Sequence, residues 1–370
     1  MRVLVNALSV TNQSGRHVLM GHLNQLSEWV AGEHEFVVLH HGLNEDIVQD
    51  SPAFSWVRCP DATARWLGRS LWEYRNLNSV AEKQQCRVVF TPAGVAVPGI
   101  KVPQVVLCQN PWCLVPGLHH SLSDKLKAAI QRRAYRRTMK HADLMVFNSK
   151  FMQKAYEQIT GGPARESIIA YQGLTSETWE KASQLGKSNR EDGLIVSVSA
   201  MAPHKGADVL VKALRRVVDR GFDARLILAG GWPDEPYRRL VESTVVEQGL
   251  SDRVEFSGWI SDGQLHELYS RAHVFCLLSR CESFGIPAVE AQSFGTPAIG
   301  TTACAIPEIG GDGGLYSKVD DVDGAADNLL RALTDCPMWD QLSAEAIKNA
   351  NRFRWEACSR PLLKMFELAC

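Results

Sequence analysis

The stretch from Cys281 to Thr301 (CESFGIPAVEAQSFGTPAIGT) carries two glutamates, Glu282 and Glu290, with seven residues between them. Phe284, Gly285 and Pro287 lie inside that interval. Proline suits a first helical turn, so a helix is expected from Ile286 or Pro287. The free backbone N–H groups around Phe284, Gly285 and Ile286 would then face a ligand that is anionic or rich in hydroxyls. Glu290, about one turn inside, can accept two hydrogen bonds from a ribose diol, and Glu282 at the loop entry can do the same for sugar hydroxyls. Lys205 precedes Gly206 between a strand pattern and a helical pattern, where an ammonium can neutralise a phosphate. At ~4 Å and an effective dielectric near 20, such a contact has a Coulomb term of about 4 kcal/mol before desolvation. Gly15, just before a helix expected over residues 16–30, leaves room for a phosphate at a helix N-terminus.

The elements that must carry these residues are short apolar runs alternating with amphipathic helices. Strands are expected over residues 2–8, 35–40, 86–91, 103–109, 142–148 and 167–171. A second series falls at 194–199, 224–230, 254–258, 274–279 and 297–300. Between the two series lies a polar stretch, residues 181–193 (KASQLGKSNREDG), which reads as a linker. Strands that are nearly all apolar and separated by helices imply parallel sheets covered on both faces. The expected architecture is α/β, two doubly wound Rossmann-like domains with a cleft between them, in which ligands meet loops that follow strands. Residues 1–180 would form the first domain and 194–352 the second, with 353–370 a closing helix anchored by Phe353 and Trp355 and returning to the first domain.

Composition narrows the function classes. The chain has 370 residues, 45% hydrophobic and 22% charged, and a formal net charge of −1. That balance argues against a nucleic-acid-coating protein. The charge is uneven: residues 1–178 sum to +5 and the remainder to −6, as expected of two domains facing different surroundings. No apolar run approaches the ~18 residues of a spanning helix, and the N-terminal apolar run breaks at Asn6. A soluble cytoplasmic protein is expected. The ten cysteines include no pair separated by two residues and no accompanying His cluster, so they read as reduced thiols, and a metal site is not expected.

Residues 281–301 closely resemble the signature of family-4 retaining glycosyltransferases, which have the two-domain GT-B fold. Other segments match the family in order. Residues 200–206 (AMAPHKG) resemble its Lys-Gly loop, and residues 12–16 (NQSGR) its first-domain glycine loop. Residues 142–150 (ADLMVFNSK) resemble a strand-turn segment late in the first domain, and residues 254–260 (VEFSGWI) the strand and turn that hold the nucleotide base. The resemblance implies a nucleotide-diphosphate-sugar donor, UDP- or GDP-linked, and no cofactor. Gly15, Arg16, Lys205 and Gly206 would meet the diphosphate, and Gly258, Trp259 and Ile260 the base. Glu282, Ser283, Phe284, Gly285 and Ile286 would meet the sugar, and Glu290 the ribose. Trp259 can equally be a core or interdomain aromatic. Two departures stand out. An Arg common five residues before the Lys is Ala200 here, and a His-Asp or His-Asn pair is replaced by Gln109 and Asn110. The mechanism implied is a front-face displacement, in which the leaving phosphate takes the acceptor's proton and Lys205, Glu282, Gln109 and Asn110 position groups.

Residues 125–141 (KLKAAIQRRAYRRTMKH) hold seven Lys or Arg and no acid. Arg132, Arg136 and Lys140 form one stripe, and Arg133 and Arg137 the adjacent one. This basic amphipathic helix suits either an anionic leaflet, at about 1 kcal/mol per basic residue, or a solvated face packed on its sheet. Residues 65–75 (RWLGRSLWEYR) add aromatics interleaved with arginines. Similar basic helices occur in members of the resembled family that glycosylate lipid-linked acceptors, so the resemblance implies a glycan or lipid-linked acceptor of the cell envelope, with peripheral contact at the inner face of the plasma membrane. Rival readings are a nucleotide-sugar epimerase or hydrolase of the same fold, and an inactive glycosyltransferase-like partner subunit.

Overall fold

Apolar runs become the central strands, and their alternate side chains divide between two helical layers. The computed structural model describes residues 1–119, 121–186 and 190–368. They form two compact units, one of residues 1–173 with the C-terminal stretch from Trp355, the other Leu174–Arg354.

The first unit holds seven parallel strands: β1 (Arg2–Asn6), β2 (Glu35–His40), β3 (Phe54–Arg58), β4 (Cys86–Thr91), β5 (Gln104–Cys108), β6 (Leu144–Phe147) and β7 (Ser167–Ile169). Their order is β3-β2-β1-β4-β5-β6-β7. Helices α1 (Gln13–Trp29), α2 (Trp66–Lys83), α3 (Leu122–His141) and α4 (Lys150–Thr160) connect them. Val3 and Val5 pack with α1 on one face. Leu4 packs with α2 on the other, as the two-residue period of a strand requires. β3, an edge strand, escaped the sequence reading; of its five residues only Phe54 is buried.

In the second unit α5 (Ser176–Leu185) precedes six parallel strands: β8 (Glu191–Val198), β9 (Arg225–Ala229), β10 (Val254–Gly258), β11 (Ala272–Leu277), β12 (Ala298–Thr301) and β13 (Gly314–Ser317). The order is β10-β9-β8-β11-β12-β13. Helices α6 (Ala207–Asp219), α7 (Glu235–Glu247), α8 (Asp262–Arg271) and α9 (Ile286–Ser293) lie between them. On α6, Val209, Leu210, Ala213, Leu214 and Val217 are buried at helical spacing. β13, the other strand the sequence did not reveal, is again a half-buried edge.

The expected linker at 181–193 is corrected. Its first residues finish α5 and its last begin β8, while 187–189 lie outside the described residues. Arg190 in this polar stretch is built in: its guanidinium donates to Tyr269 O, Ala272 O, Thr296 Oγ1 and Phe294 O. The units divide instead at residues 173/174 and 354/355. Residues 174–180 thus belong to the second unit, where the Thr178 hydroxyl meets His266 Nε2 at 3.3 Å. Phe353 stays there too, buried and edge-on to Phe284. Trp355 belongs to the first unit, its indole lying over Gly21 and Gly173, where any Cβ would collide with it. Leu362, Met365 and Phe366 then join the core beside α1.

Candidate functional site

In each sheet the strand order reverses once, between β1 and β4 and between β8 and β11, and ligands of such sheets bind beyond the carboxyl ends of strands at that reversal. Lys205 follows β8 and Glu282 follows β11. The reversal therefore brings together residues separated by 77 positions: Lys205 Nζ donates to Glu282 Oε1 at 2.6 Å. Both side chains are largely withdrawn from water, 18% and 11% exposed. The Ser279 hydroxyl donates to the same carboxylate oxygen at 2.9 Å. Gly206 follows Lys205 with φ 73° and packs on the backbone of Leu278, where a side chain would strike the carbonyl oxygen. Arg280 ties the two loops further. Its N–H donates to His204 O at 2.7 Å, and its guanidinium reaches Pro203 O and the Asp208 carboxylate. Burial, reinforced by the Lys205 ammonium, holds the His204 imidazole below its usual range.

Gly285 caps α9 in the left-handed conformation, φ 95°, and the helix starts at Ile286 with Pro287 in its first turn. The first-turn N–H groups lie at the end of the Ser283–Gly285 loop and have no partner within the helix. Glu290 lies one turn inside, where the Tyr269 hydroxyl donates to Oε2 at 2.9 Å. Burial pushes the Glu290 carboxyl up to about 7, with Asp262 adding to the rise and the Tyr269 hydrogen bond opposing it. At the edge of the sheet, Gly230 N–H donates to Gly258 O at 2.7 Å, joining the turns after β9 and β10. Trp259 stands on that turn 83% exposed, so it is no core residue. Half-buried Ile260, the next residue, packs against the apolar cluster that includes Leu194, Ile227 and Leu268.

Ser279, Arg280, Asp208 and Tyr269 were not among the residues picked from the sequence. Arg280, Asp208 and Tyr269 act through partners on distant elements, so no local spacing announces them, whereas Ser279 acts on Glu282 three residues along. Arg280, two residues from Glu282, was the nearest to a visible signal.

The first unit places its own candidates at the carboxyl end of its sheet. The helix after β1 begins at Gln13, three residues before the expected start. Gly15 therefore sits within the first turn, its N–H donating to Asn12 Oδ1 at 2.7 Å, and a Cβ there would lie 2.9 Å from that oxygen. The glycine serves the cap, and Gln13 and Ser14 supply the first-turn donors that precede it. Arg16 is engaged within the unit: it pairs with Asp46 at 3.0 Å and donates to Leu43 O at 2.7 Å. Gln109, half-exposed, and Asn110 follow β5. Asn110 Oδ1 accepts from Trp112 N–H at 2.9 Å, which shapes the turn.

Residues 179–352, nearly the whole second unit, match the family described as Glycosyl transferases group 1. The second unit belongs to that family. Among curated relatives of the chain, the O-antigen chain mannosyltransferase B of Escherichia coli is 30% identical over 48% of this chain and 46% of its own. The D-inositol 3-phosphate glycosyltransferase of Corynebacterium glutamicum (strain R) is 27% identical over 66% and 62%. The matches thus span less than two thirds of the length of these relatives. A solved structure, Anabaena HepE in complex with UDP and glucose, covers 99% of both chains at 19% identity with a TM-score of 0.73. That likeness shows the fold, which is the α/β GT-B type with Rossmann-like domains.

In the first unit, the basic helix is α3. Arg132 donates to Cys113 O at 2.9 Å and Arg136 to Ile159 O at 2.7 Å, so these two are spent on the first unit's own backbone. Arg133, Arg137 and Lys140 are exposed. Exposed beside them is an apolar stripe: Leu122, Leu126 and Ile130, each at least 62% open at four-residue spacing. Trp66, Leu67, Leu71 and Tyr74 of α2, on the same face of the sheet, are exposed as well. No helix among the described residues is long and apolar enough to cross a membrane.

Proposed function

We propose that the chain is a retaining, metal-independent glycosyltransferase that moves a hexose-type sugar from a UDP- or GDP-linked donor to a glycan or lipid-linked acceptor of the cell envelope. The observation that carries this reading is the meeting of Lys205 and Glu282 at the β8/β11 reversal. A cation suited to a diphosphate there touches a carboxylate suited to sugar hydroxyls, beside the open N-terminus of α9. On donor binding, Lys205 shares its charge between Glu282 and the diphosphate, and the N–H groups from Ser283 to Ile286 face the sugar. Glu290 accepts the ribose hydroxyls and Trp259 offers its exposed face to the base. Transfer proceeds on one face of the sugar: the bond to the diphosphate breaks as the acceptor oxygen attacks, and the leaving phosphate takes the acceptor proton. The protein positions the groups and neutralises the charge that develops on the leaving group.

The acceptor side of the reading rests on α3. Exposed leucines beside exposed arginines suit an anionic leaflet, where apolar side chains enter the interface and each cation adds about 1 kcal/mol. Contact at the inner face of the plasma membrane would bring the first unit to a lipid-linked acceptor; nucleic acid is not a partner in this reading.

The test is thermal melting with UDP, GDP, ADP and CMP in parallel. A nucleotide at ~100 times its dissociation constant adds about 2.7 kcal/mol of stability, a shift of several degrees. Stabilisation by UDP or GDP alone supports the donor site, and donor turnover only with an acceptor present separates transfer from epimerase or hydrolase activity. Ala200 and the Arg16–Asp46 pair favour a second reading, an inactive partner subunit, which predicts no stabilisation by any of the four.

A further inference from the structure

Glu282 has a neighbour with no part in donor binding. β11 and β12 pair in register, with Leu277 beside Gly300. Four residues further along each chain stand Cys281 and Cys304. The two loops are joined there by backbone and side chain: Ala305 N–H donates to Glu282 O at 3.2 Å, and the Thr301 hydroxyl to Ser279 O at 2.6 Å. The Cys281 and Cys304 thiols thereby come within each other's influence. Cys281 is buried, whereas Cys304 is half-open to solvent and is held at φ 54°, in the left-handed region. Their interaction draws the Cys304 thiol below its usual range and pushes Cys281 up. Burial pushes the thiols of Cys59, Cys86, Cys108, Cys113 and Cys276 up as well. A solvent-reachable thiol with thiolate character beside a second thiol is the arrangement of a peroxide-sensitive pair.

We propose that Cys281 and Cys304 form a reversible disulfide under peroxide, and that this bond switches off the loop carrying Glu282. The Cys304 thiolate attacks one peroxide oxygen and breaks the O–O bond, giving a sulfenic acid and, after protonation of the leaving oxygen, water. The Cys281 sulfur then displaces the sulfenic hydroxyl as a second water, forming the S–S bond. Two thiols are oxidised and one peroxide is reduced. A disulfide is only about 2.05 Å long, so the two sulfurs must close on each other when it forms. Glu282, the next residue, is held by Lys205, Ser279 and Ala305, so the movement falls on the group assigned to the donor sugar. Misplacement of ~1 Å costs on the order of a hundredfold in such sites.

The switching half of the proposal rests on the donor-site reading above; the bond-forming half does not. Both cysteines fall in one tryptic fragment, residues 281–318, which contains no other cysteine. The full chain is treated with hydrogen peroxide, alkylated and digested. The expected result is a 281–318 fragment that takes up no alkylating agent, is lighter than the dithiol by two hydrogens, and returns to the dithiol with dithiothreitol. Melting shifts with UDP and GDP are read on the same samples. They should largely disappear on oxidation and return on reduction in the wild-type protein. In Cys281→Ser and in Cys304→Ser they should persist through the peroxide treatment. A fragment that keeps two alkylatable thiols, or carries only a sulfinic acid at Cys304, overturns the bond. A disulfide that leaves the nucleotide shifts intact overturns the switch. If the reduced protein is not stabilised by either nucleotide, the donor reading fails and the switch with it, while the fragment mass still decides the bond.

Discussion

Replacing Glu290 by Gln keeps the shape of the α9 wall and the hydrogen bond from Tyr269 while removing a titrating group. In the folded chain the Glu290 carboxyl is pushed up to about 7, against 4.5 for the same group in the unfolded chain. The folded state therefore binds that proton more tightly. Its contribution to stability is fully present below pH ~4.5 and is lost as pH rises through ~7. At 1.36 kcal/mol per pKa unit, raising pH from about 5 to about 8.5 costs the wild-type protein ~2.5 kcal/mol at this site, on an order-of-magnitude basis. All other groups titrate in both proteins, so the difference between wild type and Glu290→Gln isolates the term. Urea denaturation of both across that pH range is the assay, and the variant should lose less stability on the alkaline side. Nucleotide binding should move the opposite way. A ribose diol donates best to a carboxylate, so wild-type affinity for the stabilising nucleotide should rise between pH 6 and 8 while the variant's stays flat. Parallel stability profiles would refute the buried carboxyl, and parallel affinity profiles would refute its contact with the ribose.

Lys205→Met leaves Glu282 with Ser279 alone and should lose roughly 1–3 kcal/mol of stability. The nucleotide-induced melting shift should vanish with it; a retained shift would remove Lys205 from the diphosphate site. Gly206→Ala places a methyl against the Leu278 carbonyl at a left-handed position, so calorimetry should show a lower melting temperature, with a cost of at least ~1 kcal/mol. Trp355→Ala should destabilise the first unit by about 3 kcal/mol, read as a lower urea midpoint, since the indole fills the space over Gly21 and Gly173. Exchanging Leu122, Leu126 and Ile130 for Ser should abolish co-sedimentation with vesicles rich in anionic lipid. Exchanging Arg133 and Arg137 for Gln should weaken it and flatten its salt dependence; unchanged sedimentation in both would leave α3 a solvated face.

How much was legible from the chain depended on whether the signal was local. The central strands were visible because a strand buried on both faces must be apolar throughout; of the four half-buried edge strands, β7 and β10 were expected and β3 and β13 were missed. The carboxylate spacing, the Lys-Gly step and the proline at the start of α9 are short-range features, so they singled out Lys205, Glu282, Gly285 and Glu290 as candidates. A polar composition alone misled at residues 181–193, because Arg190 is charged yet anchored by the carbonyls of residues distant in sequence. The same long-range chemistry explains Arg16, a cation by sequence but one already paired with Asp46.

The order of residues by itself determined the alternation of strand and helix, the family signature and the candidate donor residues, since all of these follow from side-chain character and separations of a few positions. Only the tertiary structure decided that Lys205 touches Glu282, that Tyr269 meets Glu290, that Cys281 lies beside Cys304 and that Leu122, Leu126 and Ile130 remain uncovered. Those facts depend on which strands become neighbours at the reversal of each sheet. Neighbourhood between strands is set by the packing of whole layers, a sum over many contacts that no single stretch of chain encodes.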